Sequence, residues 1–201
     1  EFPKHDKAPI ALYNAAAINE KAERNEEAIR LYERVIKAYP KAPQATESHY
    51  VLGMLYESQT NFEKAAWYFE KMASFPDVPQ MADALYNAGS VRESLEQYDK
   101  AIKIFSTYVK KFPDDEQSPT LILKIADTQK KLKQYKKALK TYDSYLKKYS
   151  KTRPDMVPEL LLRKAKIYQI MGGKRDIKNA KINLEKVKRV YKKLKPEVKR
   201  K

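Results

Sequence analysis

The chain has 201 residues, 42% of them apolar, with no cysteine and a formal net charge of +16. That length supports a sizeable core, and the absence of cysteine excludes disulfides, a thiol nucleophile and a cysteine zinc site. No run of about 18 apolar residues occurs, so no stretch reads as membrane-spanning. The chain opens on Glu1 without a signal-peptide pattern, as a processed or excised piece would. Residues 1–7 are expected as a flexible polar end. Helical periodicity then predicts antiparallel pairs at about 8–23 and 25–39, 43–58 and 61–74, 79–95 and 97–111, 117–132 and 134–149, and 155–171 and 176–194. These group as repeats of about 8–41, 43–78, 79–114, 117–151 and 155–194 in one solenoid over 8–194, with a basic tail at 195–201.

The second pair, His49 to Pro76, shows the design. Leu52, Leu55 and Tyr56 share one helical face, and Ala65, Phe69 and Met72 share another. Gly53 and Ala65 are small residues on opposite arms, which lets two backbones approach closely. Pro76 cannot continue the helix. The same landmarks recur along the chain. The small residue of the second arm is Ala28, Ala65, Ala101, Ala138 and Ala180, and its first-arm partner is Ala16, Gly53, Gly89 and Ala126. An aromatic follows four residues later at Tyr32, Phe69, Phe105 and Tyr142. Tyr39-Pro40, Phe75-Pro76, Phe112-Pro113 and Tyr149-Ser150 end the pairs. A period of 20–50 residues is the mark of stacked repeats, none of which buries its apolar faces alone. The fifth copy departs: Met171 to Asp176 is expected as a turn three residues longer than the others, and Ile177, Ile182, Leu184, Val187 and Leu194 as the apolar stripe of a capping helix.

On these residues the chain resembles the tetratricopeptide repeat family over about residues 8 to 194. The family's large–small–aromatic, small–aromatic–Pro order is matched by Leu52, Gly53, Tyr56, Ala65, Phe69 and Pro76 in the second repeat, and in part by Leu85, Gly89, Ala101, Phe105 and Pro113 in the third. The resemblance implies an all-α, right-handed superhelical solenoid of about five helix pairs. Two departures stand out. The spacing is 36–37 residues through the first four repeats, and Asn19, Arg92 and Gln129 replace the first-helix aromatic in repeats one, three and four.

Little here suggests catalysis. His5 lies in the polar end, and His49 falls on a packing position. Gly172-Gly173-Lys174-Arg175 lacks the first glycine, the hydroxyl residue and the preceding strand of a phosphate loop. Asp114-Asp115-Glu116 precedes a helix, where acidic residues favour the macrodipole. The expectation is no enzyme, no cofactor and no metal.

The family resemblance places the first helix of each pair on the concave side. The face opposite its packing positions is then the candidate partner groove. One register holds Tyr13, Tyr50, Tyr86, Leu123 and Leu162; the next residue is Asn14, Val51, Asn87, Lys124 and Arg163; one turn on are Ala17, Met54, Ser90, Asp127 and Lys166. Tyrosine offers a rigid, amphipathic contact surface, and asparagine can bond an extended backbone. The last turn runs from acidic Glu20, Glu57 and Glu93 to basic Lys130, with Lys131 beside it. The alternative is that the tyrosines only pack between neighbouring helices. The family's chaperone-tail receptors grip a carboxylate with Lys and Asn where this chain has Tyr13 and Ala17, so that role is not expected.

Charge is lopsided: residues 1–118 hold 15 Lys/Arg against 19 Asp/Glu, and residues 119–201 hold 27 against 7. The leading expectation is a non-catalytic scaffold binding a peptide or helix of a partner protein, with a possible acidic partner for residues 119–201. The alternative is a polyanion (nucleic acid, anionic lipid or glycan) on the basic half, although few aromatics alternate with the lysines for base stacking, so nucleic acid is not favoured. A third reading is that the piece self-associates or docks onto the rest of a longer chain, because Ala11, Leu12, Ala15, Ala16 and Ile18 leave the first helix without a preceding partner. The repeat style also resembles bacterial cell-envelope proteins: the Tol–Pal-associated division coordinator, the β-barrel assembly lipoprotein and gliding-motility repeat proteins. That likeness implies an envelope or motility assembly and sets the periplasm ahead of the cytoplasm.

Overall fold

Every segment with a 3.6-residue apolar period is an α-helix: α1 Ala8–Lys21, α2 Asn25–Ala38, α3 Pro43–Ser58, α4 Phe62–Met72, α5 Met81–Ser94, α6 Tyr98–Lys111, α7 Ser118–Lys131, α8 Tyr135–Tyr149, α9 Met156–Met171 and α10 Lys174–Val198. This computed structural model describes residues 5–76 and 78–198; residues 1–4 of the expected polar end and 199–201 of the expected tail lie outside them. Among the described residues there is no strand, so the chain is an all-α helical repeat fold.

The chain divides into two compact units, Glu1–Lys111 and Phe112–Lys201. The division falls at a repeat boundary. In the first unit each helix packs on the next, α1 through α6, and α1 also reaches α3; in the second, α7 through α10 do the same. The landmark small residues are all sealed: Ala16, Ala28, Ala65, Ala126 and Ala138 are fully buried, and Ala101 and Ala180 nearly so. Beside them Tyr32, Phe69, Phe105 and Tyr142 fill the core. His49 is buried too. Its Nδ1 lies 2.7 Å from the Ala45 carbonyl oxygen, and its ring lies 5.3 Å from that of Phe75. Burial holds its pKa below the usual imidazole range.

The turns inside the first four pairs are copies of one another. In each, the helix closes with a Schellman motif: the Asn61 N–H donates to the Tyr56 carbonyl at 2.8 Å and the Thr60 N–H to Glu57 at 2.9 Å, and the other three turns repeat this pairing. The motif needs a left-handed residue, and Glu23, Thr60, Glu96 and Lys133 supply it at φ 57°, 58°, 57° and 58°. None is glycine. A β-branched residue fits this region worst. Thr60→Gly is therefore expected to raise stability by about 1 kcal/mol, read as a higher denaturant midpoint; an unchanged or lower midpoint would refute the strain.

The fifth turn corrects the sequence reading. It is not lengthened: Gly172, at φ 73°, and Gly173 alone join α9 to α10. The extra residues are helical, because α10 starts at Lys174, six residues before Ala180. The expected stripe of α10 is also only partly right. Ala180, Asn183 and Val187 are buried, whereas Ile177 and Ile182 are 45% and 42% exposed. The i, i+3, i+7 line through Ala180 decides which face turns inward, and those two isoleucines lie off it. The side chain of Leu194 lies outside the described residues. α10 runs to Val198, into the stretch expected as a basic tail.

Candidate partner-binding faces

In the first unit the tyrosine register is half structural. Tyr13 meets the Tyr32 ring edge-on at 5.3 Å, and Tyr50 meets Phe69 in the same way at 5.7 Å. Both hydroxyls reach the next first helix. The Asn87 amide donates to the Tyr50 hydroxyl at 3.5 Å, and the Tyr13 hydroxyl faces the Glu47 carboxylate. Burial raises the pKa of both tyrosines; Glu47 and Glu20 add to this at Tyr13, and Asp83 does at Tyr50. Both stay protonated donors at neutral pH. Asn87 is thus already engaged. The outward members are Asn14, Met54 and Tyr86, the last two 45% and 38% exposed. Ser90 sits among them with its Oγ buried and without a hydrogen-bond partner.

In the second unit the predicted residues form a charged knot. Arg163 bonds Asp127 through Nη1 and Glu159 through Nε and Nη2, while the Tyr142 hydroxyl donates to Asp127. Burial works against the charged guanidinium, but the bonds to Glu159 and Asp127 outweigh it and raise its pKa above the ordinary value. Lys124 and Lys131 also have partners. Leu123, Leu162 and Lys130 are half-buried, and Lys166 is exposed. The positive charge lies elsewhere, on the exposed faces of α8 (Lys136, Lys137, Lys140, Lys147, Lys148) and α10 (Lys174, Lys178, Lys181, Lys188, Lys192).

Two clusters escape a reading of the first helices alone. Arg92 is 5% exposed and donates to Glu70 at 2.5 Å, Glu63 at 2.6 Å and Gln97 at 2.9 Å. It stands where the second repeat has Tyr56, and its carboxylates come from α4, seven residues apart. That pairing of a mid-core arginine with two glutamates one repeat earlier is the signal in the sequence. On the α2–α4 side, Tyr56 and Tyr68 stack at 5.4 Å and both donate to Glu33, at 2.9 and 3.1 Å. Burial and Glu33 push the Tyr56 hydroxyl up to about 12. Trp67, 47% exposed, stands edge-on to Tyr68, with Lys71 over its ring. A cleft of about 560 Å³ also opens beside Leu85, Ile104, Lys100 and Lys103. Among the described residues there is no group of three His, Cys, Asp or Glu placed to hold a metal, and no helix long and apolar enough to cross a membrane.

Comparison with known proteins follows this geometry. Tetratricopeptide repeat models match residues 20–79 and, separately, 83–115 and 121–152. No curated protein matches the chain. Among solved structures it is similar to YrrB, described as a tetratricopeptide repeat protein with an unusual peptide-binding site, at 17% identity and a TM-score of 0.56 over 94% of this chain and 89% of that one. It is similar to MamA, from residue 41 onward, of Desulfovibrio magneticus RS-1, at 17% identity and 0.52 over 94% and 97%. BtubC of P. vanneervenii follows at 14% and 0.53 over 94% and 84%. At such identities the likeness concerns the fold.

Proposed function

The chain belongs to the tetratricopeptide repeat family, and from that premise we propose that it is a non-catalytic scaffold whose first helices hold a peptide or helix of a partner protein. One observation carries this reading. In the tyrosine register of the first unit, Tyr13 and Tyr50 are fixed by packing while Met54 and Tyr86 remain open to solvent. A preorganised aromatic floor with exposed apolar members binds a chain at low ordering cost. The peptide-binding site of YrrB supports the same use of the fold. In the second unit Arg163 is neutralised by Asp127 and Glu159, so an acidic segment would be drawn by the exposed Lys166 and by the lysines of α8 and α10. The bacterial envelope or motility setting follows from the repeat style alone.

The test is a random-peptide library panned on the chain. Selected peptides should lose at least ten-fold in affinity for Met54→Glu/Tyr86→Ala, whose wild-type side chains are exposed enough to change without unfolding the protein. Peptides that bind the double variant equally well would refute the groove.

A second reading has its own observation. The second unit carries 27 Lys/Arg against 10 Asp/Glu, and the cations of α8 and α10 are exposed. Such a face suits a polyanion, with affinity falling steeply as salt rises.

A further inference from the structure

The tyrosine register of the first unit is bordered by carboxylates. In α3 that face reads Glu47, Tyr50, Met54 and Glu57, the i, i+3, i+7, i+10 line of one helix side. In α5 Asp83 and Tyr86 take the first two places, and in α1 Tyr13 and Glu20 take the second and the last. Glu47 and Asp83 thus form one row across the helices and Glu20 and Glu57 another, about 15 Å away along the axis. Glu93, the α5 member of the second row, has a partner of its own. Each tyrosine lies between the rows: Tyr13 is in the field of Glu47 and Glu20, and Tyr50 in that of Asp83 and Glu57. After burial, these carboxylates hold both hydroxyls above the ordinary phenol range. Glu57 and Asp83 are exposed; Glu20 and Glu47 are half-buried beside neutral hydroxyls, with Tyr32 donating to Glu20 at 2.7 Å. Such neighbours leave the negative charge in place. The basic residues of α1, α3 and α5 are Lys21 and Arg92. Lys21 stands about 100° round the helix from Glu20, and Arg92 is engaged by Glu63 and Glu70.

We propose that this face binds a basic segment of a partner protein, whose apolar residues cover Met54 and Tyr86 and whose lysines or arginines, on either side, meet the two carboxylate rows. The inference rests on the groove reading and adds the chemistry of the occupant. Charge complementarity carries it. A carboxylate that loses water against a neutral or acidic segment is destabilised, whereas a cation there forms a charge-assisted bond. Arginine suits the face best, because its planar group forks onto a carboxylate and stacks on a tyrosine ring. A second copy of this chain fits less well, although its α8 and α10 are rich in lysine. Among the described residues of α8 no large apolar side chain is exposed. On α10 the exposed Ile177 and Tyr191 border the buried line of Ala180 and Val187, which packs on α9, so lysines flank them on one side alone. Ile182 has cations on both sides but stands by itself, and one isoleucine does not cover both Met54 and Tyr86.

The test pans a random-peptide library on the full chain and keeps the peptides whose binding falls at least ten-fold for Met54→Ser/Tyr86→Ala, a change that strips the apolar floor and leaves the charge alone. These peptides are expected to carry an excess of lysine and arginine. Each should weaken at least ten-fold for Glu57→Lys/Asp83→Lys and stay within about two-fold for Glu26→Lys/Glu96→Lys, which makes the same change in net charge at exposed positions outside the register. Replacing the cations of a peptide by glutamate should restore binding to Glu57→Lys/Asp83→Lys. Circular dichroism confirms that the variants are folded, and Glu57→Gln/Asp83→Asn serves as a milder second variant with a loss in the same direction. If no selected peptide depends on Met54 and Tyr86, the groove itself fails and this proposal with it. If the floor-dependent peptides are neutral or acidic, or ignore Glu57→Lys/Asp83→Lys, the groove stands and the proposal is overturned. A concentration-dependent dimer dispersed by that charge reversal would give the face to a second copy and overturn the choice of a partner protein.

Discussion

Gly53→Ala and Gly89→Ala are each expected to lower stability by about 1–2 kcal/mol, although alanine is the better helix former. The propensity gain is about 1 kcal/mol. Against it, a Cβ at Gly53 would lie 2.6 Å from two atoms of the Phe69 ring, and one at Gly89 would lie 2.4 Å from the Phe105 ring. Both rings are buried and cannot swing aside. Overpacking of this kind costs about 1–3 kcal/mol and more when the neighbour is rigid. The sequence pairs these sizes throughout: glycine with phenylalanine in repeats two and three, alanine with tyrosine in repeats one and four. There the tyrosine rings run on to Glu20 and Asp127 through their hydroxyls. Chemical denaturation of each variant checks this. Combining Gly53→Ala with Phe69→Leu should cost less than the sum of the two single changes, because the smaller side chain makes room. A neutral or stabilising Gly53→Ala would mean that the helices part without penalty.

Arg92→Ala is expected to cost about 2–3 kcal/mol. Removing one partner of a buried ion pair typically costs about 3–5 kcal/mol because a charge stays behind unpaired. Here the abandoned carboxylates are partly solvated: Glu63 is 59% and Glu70 36% exposed, while the arginine side chain is 6% exposed. They return to water, and much of the loss is the packing of the arginine stem. Arg92→Met, which keeps most of that volume, should therefore recover at least half of the loss in the same denaturation experiment. Equal losses for Ala and Met would show that the charge and not the stem holds α5 to α4.

The helices and their pairing were legible because small residues, aromatics and prolines repeat in one register, and each does a separate steric job. Ala28 and Gly53 permit close approach, Tyr32 and Phe69 fill the gap, and prolines sit near several helix starts, including Pro43 and Pro119. The fifth pair was misjudged at its turn. Gly172-Gly173 reads as the start of a long loop, but a single left-handed residue is enough to reverse the chain, and Lys174 onward is free to be helical. Ile177 and Ile182 misled for a related reason: apolar residues define a buried stripe only once the helix phase is known, and Ala180 and Asn183 set it. The proposed groove is legible in the sequence as a register and not as a set of free side chains. Spacing located Tyr50 and Asn87, but their bond to each other is a cross-repeat contact that periodicity does not encode. The same holds for the bond from Arg163 to Asp127 of α7, whereas its bond to Glu159, four residues earlier on α9, is one that helical spacing does encode.

The most direct test of the scaffold reading is affinity capture with the 201-residue chain as bait, beside its Met54→Glu/Tyr86→Ala variant, at about 50 and about 500 mM salt, which spans the range over which surface charges pass from felt to screened. The account predicts a protein retained by the wild type at both salts and lost by the variant. Retention confined to low salt, dominated by nucleic acid or lipid and equal for both baits, would contradict it and move the function to the lysines of α8 and α10.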